Sequence, residues 1–104
     1  MEDEFWRKAS GPHVPAVLQP MFAAVGDHYE IGDDGDTIAP GITVIGTPGH
    51  TPGHSGIVLS SGGQRAFILG DAISCPVQLE QPEWSGMGDM DKELARRTQE
   101  AVVR

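Results

Sequence analysis

Residues 42–54 read ITVIGTPGHTPGH, and the apolar hairpin that follows ends in Leu69-Gly70-Asp71. The β-branched run 42–45 predicts a strand that leads directly into a loop, where two prolines and two glycines restrict the backbone around His50. Imidazole and carboxylate are ligand types that zinc, iron and manganese share. Two such ligands do not hold a metal tightly, because zinc sites use three or four protein ligands. The pattern therefore predicts half of a metal site at His50 and Asp71, with the other ligands supplied from elsewhere.

Two further apolar runs, 56–60 and 65–69, are joined across Ser61-Gly62-Gly63-Gln64 and predict a β-hairpin. Their nearly continuous apolar character predicts strands that are covered on both faces, with helices packed on each side of the sheet. Upstream, residues 14–25 have apolar side chains at helical spacing, which predicts a helix with one face on a core and a kink or break at Pro20. Residues 28–31 predict a short strand, followed by an acidic turn.

The last third of the sequence predicts a loop and then a helix. Residues 74–88 are rich in proline, glycine and polar residues, with Trp84 as the expected apolar anchor. The clearest helix is predicted over 91–104, with Asp91 as its N-cap, Leu94, Ala101 and Val102 on one face, and the pairs Glu93/Arg97 and Glu100/Arg104. No stop signal follows, so we expect the sequence to end within a longer protein rather than at a natural boundary.

Composition restricts the classes of function. The 104 residues suit one small domain with a limited core, and the formal net charge of −8 disfavours binding to nucleic acids and to anionic membranes. The single cysteine, Cys75, excludes an internal disulfide and fits a reducing compartment. No secretory signal and no run of roughly 20 apolar residues is present. We therefore expect a cytoplasmic protein that binds neither nucleic acids nor membranes.

Residues 42–56, together with Phe67-Ile68-Leu69-Gly70-Asp71, resemble the metallo-β-lactamase superfamily. A looser match extends to 40–41, 76–78, 82–84 and the helix predicted from Asp91. The resemblance implies an α/β (α+β) fold, part of an αβ/βα sandwich in which a mixed sheet is flanked by helices. It also implies that His50 is a metal ligand and Asp71 a bridging ligand of one or two ions, zinc first, with iron or manganese as alternatives. Without the preceding Pro-Gly-His loop at 47–54, which we call the histidine loop, Asp71 would be interpreted as a turn or N-cap aspartate.

Two other residues have expected roles beside the metal ligands. His54 matches a position that is not usually a ligand, so we expect it to support the site through a hydrogen bond, the alternative being a plain buried loop histidine. Cys75 falls near the expected mouth of the site, where a small semi-buried apolar role is the simplest interpretation. No further catalytic residue is predicted within the chain.

The sequence also departs from the family pattern. The signature His-x-His-x-Asp-His, which supplies most of the metal ligands, is absent, and so is the last histidine ligand. His13 and His28 lack the spacing to replace them. We therefore expect residues 1–104 to be a partial metallo-β-lactamase-like domain.

The leading hypothesis is a fragment of a metal-dependent hydrolase. The complete enzyme would act on a lactone, ester, thioester or amide bond of a small-molecule substrate through a metal-bound hydroxide. We expect the isolated chain to be inactive. The alternative is a non-catalytic remnant of the fold that serves as a binding or structural module. A third branch, oxygen-using iron enzymes or nucleases, keeps the fold and changes the reaction, and the acidic charge argues only against the nucleases. Exposed sheet edges would favour self-association in every case.

Overall fold

The computed structural model describes residues 16–17, 19–28 and 30–104. The chain divides into two compact units, Met1–Ile31 and Gly32–Arg104. The candidate metal ligands both belong to the second unit. No helix among the described residues is long and apolar enough to cross a membrane.

The first unit contains one short helix, α1, at Gln19–Val25. Residues 16–17 form a turn and Pro20 lies in the first turn of α1, where a missing N–H breaks no helical hydrogen bond. Of the two predicted outcomes at Pro20, the structure therefore agrees with the break and not with the kink. The predicted apolar face of this helix is wrong for its described members, because Val17, Met21 and Val25 are all exposed.

The turn before the sheet is built by aspartates. The described residues of the predicted strand 28–31 are not in a strand. The acidic turn is confirmed, because the N–H of Asp36 donates to the carbonyl of Asp33 at 3.0 Å. Asp34 then accepts from the N–H of Gly46 at 2.8 Å, so the turn also braces the end of the neighbouring strand.

The second unit contains a four-stranded sheet in the order β1-β2-β3-β4. Its strands are β1 at Thr37–Ala39, β2 at Ile42–Gly46, β3 at Ser55–Ser61 and β4 at Gln64–Ile68. Every neighbouring pair is antiparallel. The predicted strand at 42–45 and the predicted hairpin are therefore confirmed, and β1 is an addition that the sequence analysis did not include.

A two-residue turn joins β3 to β4. Gly62 and Gly63 have φ values of 56° and 75°, and positive φ at both central positions is what a type I′ hairpin turn requires. The register places Leu59 opposite Ala66 and Ile57 opposite Ile68. Ile68 is nevertheless 54 % exposed, and Leu59 is exposed as well. The expectation of a sheet covered on both faces is thus wrong for the described part of the chain.

The segment after β4 is more ordered than a plain loop. It contains a 3₁₀ turn at Gly70–Ala72 and a one-turn helix, α2, at Val77–Glu80. Gln78 is buried and ties the segment together, since its amide oxygen accepts from the N–H of Ser74 at 2.6 Å and its amide nitrogen donates to the carbonyl of Trp84 at 2.9 Å. The side chain of Trp84 is exposed, so its predicted role as an apolar anchor is wrong and a buried glutamine has that role.

The final helix, α3, spans Lys92–Val103. Asp91 is its N-cap, as predicted, and accepts from the N–H of Leu94 at 2.9 Å. The predicted pair between Arg97 and Glu93 forms at 3.1 Å. Glu100 pairs with Arg96 and not with Arg104 as predicted.

The buried face of α3 differs from the prediction. Ala95 and Gln99 are its buried residues, whereas Ala101 is exposed. This helix packs on the loop after β2, where the backbone approaches too closely for large side chains. Small size at Ala95 therefore matters more than apolar bulk.

The predicted α+β class and partial sandwich are confirmed by this sheet and its helices. The mixed sheet expected from the resemblance is antiparallel throughout the described strands. Both candidate ligands follow the carboxyl ends of strands, His50 after β2 and Asp71 after β4. These two strand ends lie at the same end of the sheet, because β2 and β4 are each antiparallel to β3.

Candidate metal centre

The loop between β2 and β3 is closed by its own backbone. The N–H of Thr47 donates to the carbonyl of His54 at 2.8 Å, which continues the β2–β3 ladder by one pair. Within the loop, the N–H groups of Gly49 and His54 both donate to the carbonyl of Thr51, at 3.1 and 3.2 Å. His50 therefore lies on a short closed loop whose backbone has little freedom.

The segment before α3 and the helix itself hold this loop from outside. The N–H of Met90 donates to the carbonyl of His50 at 3.1 Å, and the N–H of Asp91 donates to the carbonyl of Gly49 at 3.0 Å. Gly49 has a φ of 137°, and a side chain at this position would collide with the backbone of Ala95. The glycine of the Pro-Gly-His triplet thus permits the close approach of loop and helix.

The side chains of His50 and Asp71 converge. Nε2 of His50 lies 3.5 Å from Oδ2 of Asp71. Two ligands bound at about 2.1 Å to a tetrahedral ion lie about 3.4 Å apart, so the observed separation suits two ligands of one ion. The structure therefore brings together the two residues that the sequence singled out, and their role as metal ligands stays a prediction.

Asp89 contacts the other ring nitrogen of His50, Nδ1. Its Oδ1 lies 3.1 Å from Nδ1 of His50, and its Oδ2 accepts from the N–H of Gly86 at 2.7 Å. The Asp89 side chain is only 3 % exposed, compared with 69 % for Asp71. Sequence reasoning missed Asp89, because it lies in a glycine-rich turn 39 positions after His50 and no periodicity connects the two.

The hydrogen bond from Asp89 determines which nitrogen of His50 faces Asp71. A carboxylate only accepts, so Nδ1 carries the proton that is shared with Asp89. In a neutral ring Nε2 then has a lone pair, and this lone pair faces a carboxylate oxygen. Two acceptors at this separation repel unless a proton or a metal cation lies between them.

His54 connects the end of β2 to Asp71. The N–H of Asp71 donates to Nε2 of His54 at 2.9 Å, so Nδ1 carries the ring proton. Nδ1 lies 2.7 Å from the hydroxyl oxygen of Thr47 and 3.1 Å from its carbonyl oxygen, and Thr47 is fully buried. His54 thus supports the backbone of Asp71 and has no ring nitrogen left for a metal.

The solved structures that are similar to the chain include a lactonase and a second hydrolase. AidC, a dizinc quorum-quenching lactonase, aligns with 83 % of this chain at 26 % identity and a TM-score of 0.71. AbOPH, a hydrolase in the β-lactamase superfamily, aligns with 89 % of it at 26 % identity and a TM-score of 0.59. The chain is related to the metallo-β-lactamase fold. It spans 30 % and 38 % of the lengths of these two proteins. No protein-family profile and no curated protein matches the sequence.

The ligand set of a metallo-β-lactamase-fold centre is incomplete in the described residues. Within 16–17, 19–28 and 30–104, no group of three or more His, Cys, Asp or Glu side chains is arranged to hold a metal ion. Asp89 adds no third ligand, since the nearest ring nitrogen to it is Nδ1. The exposed position of Asp71 leaves its carboxylate accessible to ligands from outside this part of the fold.

The other residues that the sequence analysis weighed are Cys75, His28 and His13. Cys75 is exposed, so the expectation of a semi-buried apolar residue is wrong. Its N–H donates to the amide oxygen of buried Gln78 at 3.1 Å, and its thiol donates to the same oxygen at 3.9 Å. His28 belongs to the first unit and lies 3.7 Å from the carboxylate of its neighbour Asp27. His13 lies outside the described residues.

Proposed function

We propose that the chain is part of a zinc-dependent hydrolase and that His50 and Asp71 are two of its metal ligands. The observation that carries the proposal is the 3.5 Å approach of Nε2 of His50 to Oδ2 of Asp71, two acceptor atoms that face each other. The similarity to a dizinc lactonase and to a β-lactamase-superfamily hydrolase supports a hydrolytic metal centre.

The residues present fit a zinc ion. Neutral imidazole nitrogen and carboxylate oxygen are both common zinc donors, and the ring of His50 is fixed by Asp89 with one nitrogen free. When bound, zinc lowers the pKa of a coordinated water toward about 7 and so supplies a nucleophile near neutral pH. The exposed carboxylate of Asp71 has two oxygens and can serve two ions in a binuclear site.

The chain's own residues supply the rigidity of this half of the site. The closed loop holds His50, and the ring of His54 holds the backbone of Asp71. The two ligands are therefore positioned before any ion binds, which reduces the conformational entropy lost on binding. The remaining ligands and the substrate pocket must be supplied by other parts of the protein.

Among the carbonyl substrates that such a centre attacks, we propose a lactone first, with ester, thioester and amide bonds as the other members of the class. The support is that AidC is a lactonase and shares the higher of the two TM-scores. Iron or manganese in place of zinc would keep the same two ligands.

The test uses the protein encoded by the complete reading frame. We expect zinc in the purified protein, hydrolysis of a homoserine lactone or of an aryl ester, and loss of that activity in Asp71→Ala. Asp27→Ala is the control, because it removes one exposed carboxylate from the first unit and should change neither zinc content nor rate. A zinc-loaded Asp71→Ala protein that is as active as the parent would overturn the proposal.

A non-catalytic module is the second candidate. It is favoured by the absence of a complete ligand group from the described residues. Metal analysis of the complete protein separates the two functions, because a binding module needs no zinc. A protein that folds, contains no metal after purification with zinc and hydrolyses no carbonyl substrate would support the module.

A further inference from the structure

We propose that Asp89 is a positioning residue that selects the tautomer of His50 and so keeps its Nε2 free for the metal. The proposal rests on the proposed function for the purpose of the tautomer, but the tautomer itself can be measured without metal. Asp89 belongs neither to the predicted ligands nor to any motif of the sequence.

The contacts of Asp89 leave it only one arrangement. Its two carboxylate oxygens have different partners, Oδ2 on the N–H of Gly86 and Oδ1 on Nδ1 of His50. The N–H of Gly86 is a donor that cannot change its role. The side chain is almost fully buried, so water does not compete for either oxygen. Nδ1 of His50 must therefore donate.

The contact of the other ring nitrogen, Nε2, shows why the tautomer of His50 matters. With the proton on Nδ1, the lone pair of Nε2 faces Oδ2 of Asp71. With the proton on Nε2, the ring would donate to Asp71 and would close the space in which an ion binds. Asp89 thus decides between an open site and a closed one.

Asparagine at position 89 tests this inference with almost no change of shape. Its single amide oxygen must stay on the N–H of Gly86, because turning the amide over would place its NH₂ group against this N–H, and both groups are donors. Its NH₂ group then faces Nδ1 of His50 and requires a lone pair there. In Asp89→Asn, the ring of His50 should therefore carry its proton on Nε2, and Asp71 should accept the hydrogen bond from it.

A matched control exists at Asp36. Its Oδ2 accepts from the N–H of Asp33 at 2.8 Å, the same backbone bond over three positions that Asp89 makes with Gly86. Two further hydrogen bonds of Asp36, from its N–H to the carbonyl of Asp33 and from the N–H of Val44 to its carbonyl, join backbone groups and do not involve a histidine. Asp36→Asn therefore reproduces the local cost of the amide and should leave the ring of His50 unchanged.

The experiment is nitrogen-15 NMR of the imidazole rings in the metal-free chain. The spectra are recorded well above the ordinary imidazole pKa of about 6.5, so that neutral rings are compared. We expect the Nδ1–H form in the parent chain and in Asp36→Asn, and the Nε2–H form in Asp89→Asn. Backbone amide shifts remote from 86–89, His50 and Asp71 should be retained, which shows that the variant folds.

Zinc affinity of the complete protein is the second readout. Loss of a partner that orients a metal-binding histidine typically lowers affinity about 10- to 100-fold, and we expect this range for Asp89→Asn. An unchanged Nδ1–H tautomer in Asp89→Asn would overturn the inference. If the tautomer changes but the complete parent protein binds no zinc, the positioning role of Asp89 stands and the proposed function fails.

Discussion

The hydroxyl of Thr98 donates a hydrogen bond to the carbonyl of Pro48 at 2.5 Å, across 50 positions of sequence. This bond joins the middle of α3 to the start of the histidine loop. Gly49 approaches the backbone of Ala95 one turn earlier on the same helix. The helix thus serves as a rigid support for the loop that presents His50, and changes at this contact should reach the candidate metal site.

Thr98→Val tests the hydrogen-bonded part of this contact. Valine keeps the shape of threonine but leaves the carbonyl of Pro48 without its donor, so we expect a loss of about 1–3 kcal/mol in the free energy of unfolding. Urea unfolding measures the change. Thr98→Ser retains the hydroxyl and should lose much less. Equal losses in the two variants would mean that the methyl packing of Thr98 matters and the hydrogen bond does not.

Gly49→Ala tests the steric part. The new methyl group would collide with Ala95 and would occupy a backbone with φ of 137°, so overpacking and strain together should cost about 2–4 kcal/mol. Gly35→Ala is the control, because Gly35 has a φ of 89° but open space around it. It should show the strain alone, and thermal unfolding of both variants gives the difference. A Gly35→Ala chain as unstable as Gly49→Ala would remove the steric explanation.

The strands next to the candidate site could be predicted because their signals are local. The β-branched run of β2 and the two glycines between β3 and β4 restrict the backbone wherever they occur. The N-cap at Asp91 is equally local, since its partner lies three residues away. The convergence of His50 and Asp71 was predicted from their ligand types after two apolar runs and from the resemblance, because no periodicity relates a loop after β2 to a turn after β4.

The errors concern contacts between distant parts of the chain. Continuous apolar runs show that a strand can be buried but do not show what covers it, and Ile68 is exposed among the described residues. Trp84 has the size of an anchor, whereas Gln78 is buried because its amide satisfies three backbone groups at once. Asp89 was missed for a similar reason, since burial of a carboxylate depends on partners that the sequence does not reveal.

His54→Ala should release the backbone at Asp71. The N–H of Asp71 loses its bond to Nε2 of His54, and because this bond lies at an exposed site, water replaces it at a cost of about 1 kcal/mol or less. We expect faster hydrogen exchange of the Asp71 amide than of its neighbours, and a loss of about 1–3 kcal/mol in the free energy of unfolding, because buried Thr47 also loses the ring of His54 as its partner. The amide of Ala72, which donates to the carbonyl of Leu69 at 3.2 Å, is the internal control. Unchanged exchange at Asp71 would show that His54 does not hold it.

Acid should weaken α3 through Glu93. Hydrogen bonds from Arg96 and then Arg97 hold the pKa of the Glu93 carboxyl below its ordinary value of 4.5. Because the pKa of Glu93 is lower in the folded chain than in the unfolded chain, its ionised carboxylate stabilises the helix above pH 4.5. This stabilisation is lost as the pH falls through the lowered pKa. Helical circular dichroism should therefore decrease as the pH is lowered from about 5 to about 3, and less steeply in Glu93→Gln. The exposed Glu83→Gln should follow the parent curve, and identical curves for all three proteins would contradict the prediction.

The exposed apolar face of the hairpin leads us to propose that the chain self-associates. Strand β4 forms one edge of the sheet, and Ile68 on this strand is 54 % exposed. An unpaired edge beside an apolar face favours pairing with a second chain. Sedimentation velocity over a concentration series should show this association in the parent chain, and Ile68→Lys should shift it toward monomer. Val103→Lys changes the net charge by the same amount at an exposed apolar position on α3, so it should associate like the parent. A parent chain that stays monomeric, or equal effects of the two lysines, would show that the hairpin face is not the contact.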